Sequence, residues 1–182
     1  MDGHYVPNLA LAPYRLKALA HRTRLPFQVH LELDNPDELL DTFKPFHAEM
    51  IIVQWDICPD PAASFKRIRS RRSQVGLGLL PLAPIEPIVP LLDHIDMLLL
   101  LGVQPGFGAQ EMHVGILSWL AQVRQVLDRD APTLHIAIDG GVKLSNAAAL
   151  VQAGADMLIM GSGLFGAADM KPLVQQLKRL ER

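Results

Sequence analysis

Residues 134–163 read LHIAIDGGVKLSNAAALVQAGADMLIMGSG. The stretch opens on an apolar run, Leu134–Ile138, and breaks at Asp139-Gly140-Gly141. A helical pattern follows over Asn146–Ala153, which Ser145 can cap and Gly154 closes. A second apolar run, Met157–Met160, ends on Gly161-Ser162-Gly163. Strand, glycine loop, helix, strand, glycine loop is the repeating unit of an α/β fold with parallel strands.

The unit recurs upstream. Phe27–Leu33 is a β-prone run in which apolar and polar residues alternate, and Met50–Trp55, Val75–Leu79 and Met97–Val103 are apolar nearly throughout. The last three lack the alternation of a half-solvated strand, as strands covered on both faces do. Helical signals lie between them. Asn35-Pro36-Asp37-Glu38 offers an N-cap, a proline at the first helical position and a glutamate behind it. Asp60-Pro61 repeats that start before Phe65 and Ile68. Glu111 to Asp128 places Ile116, Leu117, Leu120, Val123 and Leu127 on one stripe, and a last helix over about Lys171 to Arg182 turns Leu173, Leu177 and Leu180 inward. One helix followed by six strand–helix units predicts parallel strands joined by right-handed crossovers. An open doubly wound sheet and a closed (β/α) barrel both satisfy that order. No GxxxxGK[ST] is present, so P-loop nucleotide-binding versions lose support.

The chain has 182 residues, 17 basic and 19 acidic, for a formal net charge of −2, and 49% of it is hydrophobic. That suits one globular domain, residues 1–182, and lacks the basic footprint of a nucleic-acid binder. A single cysteine, Cys58, rules out an internal disulfide framework or a zinc ribbon and suits a reducing, cytoplasmic compartment. No membrane partner is expected. The longest unbroken apolar run, Met97–Val103, is far short of the roughly 18 residues of a spanning helix. The N-terminal MDGHYVPN has neither the basic start nor the apolar stretch of a secretory signal.

Chemistry in a barrel gathers just after the strands. Gly140-Gly141 and Gly161-Ser162 end consecutive strands, where backbone N–H groups can converge on a phosphate. One such loop is more often only a tight turn; two adjacent loops plus Pro105-Gly106-Phe107-Gly108 reverse those odds. Asp139 is a turn former or, at the barrel mouth, a metal ligand or general acid/base. His30 is a hydrogen-bonded core residue or a ligand. Arg67, Arg69, Arg71 and Arg72 read as a solvated helix end, and Cys58, with no histidine near it in sequence, as an inert thiol. His4, His21, His47, His94, His113 and His135 show no metal-ligand spacing, and there is no GxSxG elbow.

Taken together, MDGHYVPN, VHLEL followed by NP, GVQPGFGAQ, IAIDGGV with a following Asn, and AGADMLIMGSGLF resemble the ribulose-phosphate 3-epimerase family from Met1 to about Phe165. The resemblance implies a (β/α)8 barrel and interconversion of ribulose 5-phosphate and xylulose 5-phosphate in the pentose phosphate pathway. It also implies a divalent cation (zinc, iron, manganese or cobalt). Asp139 matches a metal-ligating aspartate that donates a proton, and His30 a metal-binding histidine beside the substrate. Gly106, Phe107, Gly108 and Ala109 match a substrate-contacting loop, with Ala109 in place of its last glycine. Gly140, Gly141, Gly161 and Ser162 match phosphate-cradling positions.

Departures sharpen the expectation. In the family, a His-x-Asp strand precedes MDGHFVPN and supplies two further metal ligands, one of them the proton-accepting aspartate. Here the sequence starts at that Met, so the reading is a barrel lacking its first strand–helix–strand unit, incomplete at the N-terminus, with about six strands. Asp2 is not the matching ligand. Gln54 replaces a family histidine, and Leu80 and Ala83 replace a polar Asn and Thr. Three functions stay open: a ribulose-phosphate 3-epimerase, a non-catalytic phosphate-binding remnant that does not retain its cation, and an epimerase of another ketose phosphate such as a hexulose 6-phosphate. An open barrel edge predicts homo-oligomers.

Overall fold

Apolar strands covered on both faces need a layer on each side, and the computed structural model supplies both. It describes residues 1–10, 13–40 and 48–180. His47 and the end of the last helical pattern, Glu181 and Arg182, lie outside them. The described elements are α1 (Pro13–Ala20), β1 (Gln28–Leu31), α2 (Pro36–Leu39), β2 (Met50–Gln54), α3 (Pro61–Arg69), β3 (Gln74–Leu79), β4 (Met97–Leu101), α4 (Ile116–Asp130), β5 (His135–Asp139), α5 (Leu144–Gln152), β6 (Met157–Ile159), α6 (Ser162–Phe165) and α7 (Met170–Leu177). The six strands form one parallel sheet in chain order, β1 to β6. Sequential order without reversal is the order of a barrel, not of a doubly wound sheet. The sheet curls until Gln28, first in β1, donates from Nε2 to Sδ of Met157, first in β6, at 3.9 Å.

Strand parity sorts the core into two layers. Val29, Leu31, Ile51, Val53, Val75, Leu77, Leu98, Leu100, Ile136 and Ile138 pack outward with Phe65, Ile68, Leu120, Val123, Leu127 and Leu150 of the helices. The alternate positions Met50, Ile52, Met97, Leu99, Leu101 and Ala137 form a second cluster on the concave side. His30 pairs with Ile52 in register, and Asp139 lies two residues beyond Ala137, so both belong to the concave side. Gly76 and Gly78 share that parity; a methyl on either would overlap the side chain of Ile52 or Gln54.

Local signals held unevenly. Asp60 caps α3, its Oδ1 accepting from the Ala63 N–H at 3.0 Å. Asn35 does not cap α2: it sits at φ 51° and its amide donates to Glu38 Oε1 instead. The start of α5 is held by Asn146, whose Oδ1 accepts from the Lys143 N–H, so Ser145 is not the cap. The pattern read from Glu111 becomes helical only at Ile116, behind Gly115 at φ 94°. Between β3 and β4 the chain forms a 3₁₀ segment, Glu86–His94, in which Pro90 removes an α-helical donor. The arginines near the α3 terminus are not merely solvated. Arg67 pairs with Asp37 at 3.5 Å and Arg69 with Asp96 at 3.2 Å, tying α3 to its neighbours.

Candidate active site

The C-terminal ends of β1 and β5 face one cavity of about 810 Å³, lined by His30, Glu32 and Asp139 together with residues of the N-terminal segment. His30 and Asp139, 109 positions apart in the chain by number, thus line the same cavity. Burial pushes the Asp139 carboxyl above the ordinary aspartate range, against a hydrogen bond from the Gly140 backbone. Such a group holds a proton closer to neutrality than a surface aspartate does. Burial lowers His30 to about 4, although a hydrogen bond with Gln54 works against it, so the imidazole is neutral at physiological pH.

Glu32 is a site residue that motif matching passed over. Strand parity was the available signal, since Glu32 lies two positions beyond His30. It is only 7% exposed. Its Oε1 stands 3.7 Å from His30 Nδ1, and its Oε2 has no hydrogen-bond partner among the described residues. Burial raises its pKa, with the Asp139 charge adding to the rise and the amino group of Met1 opposing it.

The N-terminal segment spans the mouth. Asp2 Oδ1 accepts from the His4 and Tyr5 N–H groups, and its Oδ2 from the Asp34 N–H at 2.7 Å, beyond β1. Against the effect of burial, these donors hold the Asp2 carboxyl below its usual range, and it organises the loop. Tyr5 donates to Asp56 beyond β2, and Asn8 donates to the Gly106 carbonyl at 2.7 Å. The last contact pins the loop that carries Gly106, Phe107, Gly108 and Ala109. Phe107 is exposed, Gly106 sits at φ 114°, and Ala109 adopts φ 61° where a glycine would be unstrained.

The two glycine loops differ. Gly141, at φ 69°, is pressed against the Met112 backbone, so any side chain there would collide. A Cβ on Gly161 would meet nothing within 4 Å, and Gly161 and Ser162 are exposed at the start of α6. In that turn the Leu164 and Phe165 N–H groups donate to the Gly161 carbonyl, while those of Ser162 and Gly163 precede the first intrahelical bond. Cys58 is buried, its thiol donates to Ser64 Oγ at 3.4 Å, and burial raises its pKa, consistent with an inert thiol.

The sequence profile of the ribulose-phosphate 3 epimerase family matches residues 1–165. The chain belongs to that family. It is 32% identical over 179 residues to the ribulose-phosphate 3-epimerase of Bacillus subtilis (strain 168), covering 98% of this chain and 82% of that protein. It is 36% identical over 173 residues to ribulose-phosphate 3-epimerase 1 of Cupriavidus necator (strain ATCC 17699), covering 93% of this chain and 72% of that one. Among solved structures, 3-hexulose-6-phosphate synthase from Salmonella typhimurium superposes with a TM-score of 0.69, at 15% identity, over 92% of this chain and 79% of that chain. That likeness shows the fold: a (β/α)8-type barrel represented here by six strands.

The divalent cation implied by the family resemblance can be tested against the donors present. His30 and Asp139 are two, and a held catalytic ion usually has at least three protein ligands. Among the described residues, no three His, Cys, Asp or Glu side chains stand together closely enough to hold an ion. The described residues alone therefore do not fit a metal centre. No helix among them is long and apolar enough to cross a membrane.

Proposed function

We propose that this site epimerises a ketose phosphate, interconverting D-ribulose 5-phosphate and D-xylulose 5-phosphate, an isomerase reaction of the pentose phosphate pathway. The observation that carries the reading is the shared cavity of His30 and Asp139 in a member of this family. The C3–H next to the ketone is weakly acidic. Its bond electrons pass into an enediolate as the proton leaves to a carboxylate. A proton added on the opposite face then completes the inversion, with no net change in atoms. Asp139, raised by burial, is suited to deliver that second proton. Neutral His30 presents a polar atom to the sugar without placing a positive charge in the cavity. Gly106, Phe107, Gly108 and Ala109 would cover the sugar, while Gly140, Gly141, Gly161 and Ser162 would take the phosphate. The open space at Gly161 supports the last assignment.

A divalent cation at His30 and Asp139 would need further donors, and none of these proton transfers is assigned to one. The incomplete donor set favours a second reading, in which the chain binds sugar phosphate without turning it over. Turnover of ribulose 5-phosphate in D₂O, with deuterium at C3 of the product, separates the two. Catalysis predicts turnover with deuterium incorporation, and Asp139→Asn should lower turnover by at least about 100-fold while leaving the fold intact. Retained turnover in the variant would refute the role of Asp139. Binding without turnover by the unsubstituted chain would establish the second reading. We also read residues 1–182 as one domain acting in the cytoplasm. The outer edges of β1 and β6, which pair with no further strand among the described residues, support association with further copies.

A further inference from the structure

Gln54 is fully buried on the concave face of β2 and touches two strands and the N-terminal segment. A buried amide has two donors and one acceptor oxygen to satisfy, so its partners determine which way it faces. Its Nε2 lies 3.3 Å from the Tyr5 hydroxyl and its Oε1 lies 3.1 Å from His30 Nε2. The Tyr5 hydroxyl, in turn, donates to Asp56 Oδ2 at 3.0 Å. A carboxylate only accepts, so the single phenolic proton is committed to Asp56. The phenolic oxygen must then accept from Gln54 Nε2, which leaves Gln54 Oε1 facing the ring. An acceptor oxygen beside His30 Nε2 demands a proton on that nitrogen. In a neutral ring the other nitrogen, Nδ1, is then a bare acceptor, on the side where Glu32 Oε1 stands at 3.7 Å.

We propose that Gln54 is a positioning residue, oriented by Tyr5 and Asp56, that holds His30 as the Nε2–H tautomer so that the unprotonated Nδ1, beside Glu32, accepts a hydrogen bond from a hydroxyl of the bound sugar phosphate. The two groups face each other across 3.7 Å, too far for a hydrogen bond between them, and Glu32 Oε2 has no hydrogen-bond partner among the described residues, so a donor that enters the cavity can serve both. A polyhydroxylated ligand is the chemical class that supplies one. The fold reserves space for the arrangement, because the missing side chain at Gly78 leaves the volume that the Gln54 oxygen fills.

The hydroxyl-binding half of this inference rests on the ketose-phosphate reading; the tautomer half does not. The test is long-range ¹H–¹⁵N correlation on histidine-labelled protein, with the His30 signals assigned by their loss in His30→Gln. The unsubstituted chain should show an exchange-protected proton on His30 Nε2 and an unprotonated Nδ1. Gln54→Leu should lose that protected proton. Tyr5→Phe, which alters a half-buried position, should shorten its exchange lifetime by at least about tenfold, whereas Gln54→Glu, which keeps an acceptor, should restore protection. Titration with ribulose 5-phosphate should shift Nδ1 and leave the Nε2 proton in place. A proton on Nδ1, or an unchanged protected proton in Gln54→Leu, would overturn the assignment of Gln54. Saturable sugar-phosphate binding without a shift at Nδ1 would overturn the hydroxyl contact. Turnover absent with the tautomer pattern intact would count against the epimerase reading alone.

Discussion

Acidification should unfold this protein partly through His30, and the contribution can be sized. Burial lowers the His30 pKa from its ordinary 6.5 to about 4. Between those values the unfolded chain binds a proton that the folded chain refuses, so stability falls as pH falls, and the loss begins near pH 6.5. From pH 7 to pH 5 the linkage amounts to about 2 kcal/mol. The side chain is still 18% exposed, which makes that figure an upper value. Glu32 and Asp139 act with the opposite sign. Their raised carboxyls take up protons more readily when folded, so acidification relieves the cost of burying their charges. The quantity to measure is therefore a difference. Urea unfolding of the chain and of His30→Gln, each at pH 7 and pH 5 in chelator-treated buffer, isolates the histidine. The unsubstituted chain should lose about 2 kcal/mol more than the variant over that interval. Equal losses in the two proteins would refute the claim that His30 is buried and neutral.

Further substitutions probe the framework around it. Gly78→Ala should cost about 1–3 kcal/mol in chemical denaturation, since the new methyl overlaps the Gln54 oxygen and lies 3.4 Å from His30 Nε2. A neutral result there would mean that Gln54 is not held where it stands. Ala109→Gly should stabilise the chain by up to about 1 kcal/mol by relieving a positive φ of 61° on a residue with a Cβ, and a lower urea midpoint would contradict that.

Much of the fold was legible in the chain because strand and helix periods are properties of the backbone. The apolar runs at Met50, Met97 and Leu134 became strands within a few residues of their expected limits, and their chain-order pairing follows from short right-handed crossovers. Caps were less legible. Asn35 and Ser145 belong to the right residue types, but which side chain reaches an open N–H depends on loop torsions that residue type does not dictate. The segment Glu86–His94 departed from α-helix, and Pro90 inside it removes a donor whatever the apolar pattern.

The sequence by itself determined the strand–helix order and the glycine-ended loops. Those features follow from local geometry repeated along the chain. Only the tertiary structure decided what these residues meet. Gln54 touches His30 from 24 positions away, Tyr5 reaches Asp56 across 51, and Asn8 holds Gly106 across 98. Contacts of that kind depend on sheet curl, on inter-strand register, and on where the N-terminal segment crosses the mouth. None of these is encoded in a local period. That is why Gln54 reads in the sequence only as a lost histidine, and in the fold as the residue that orients His30.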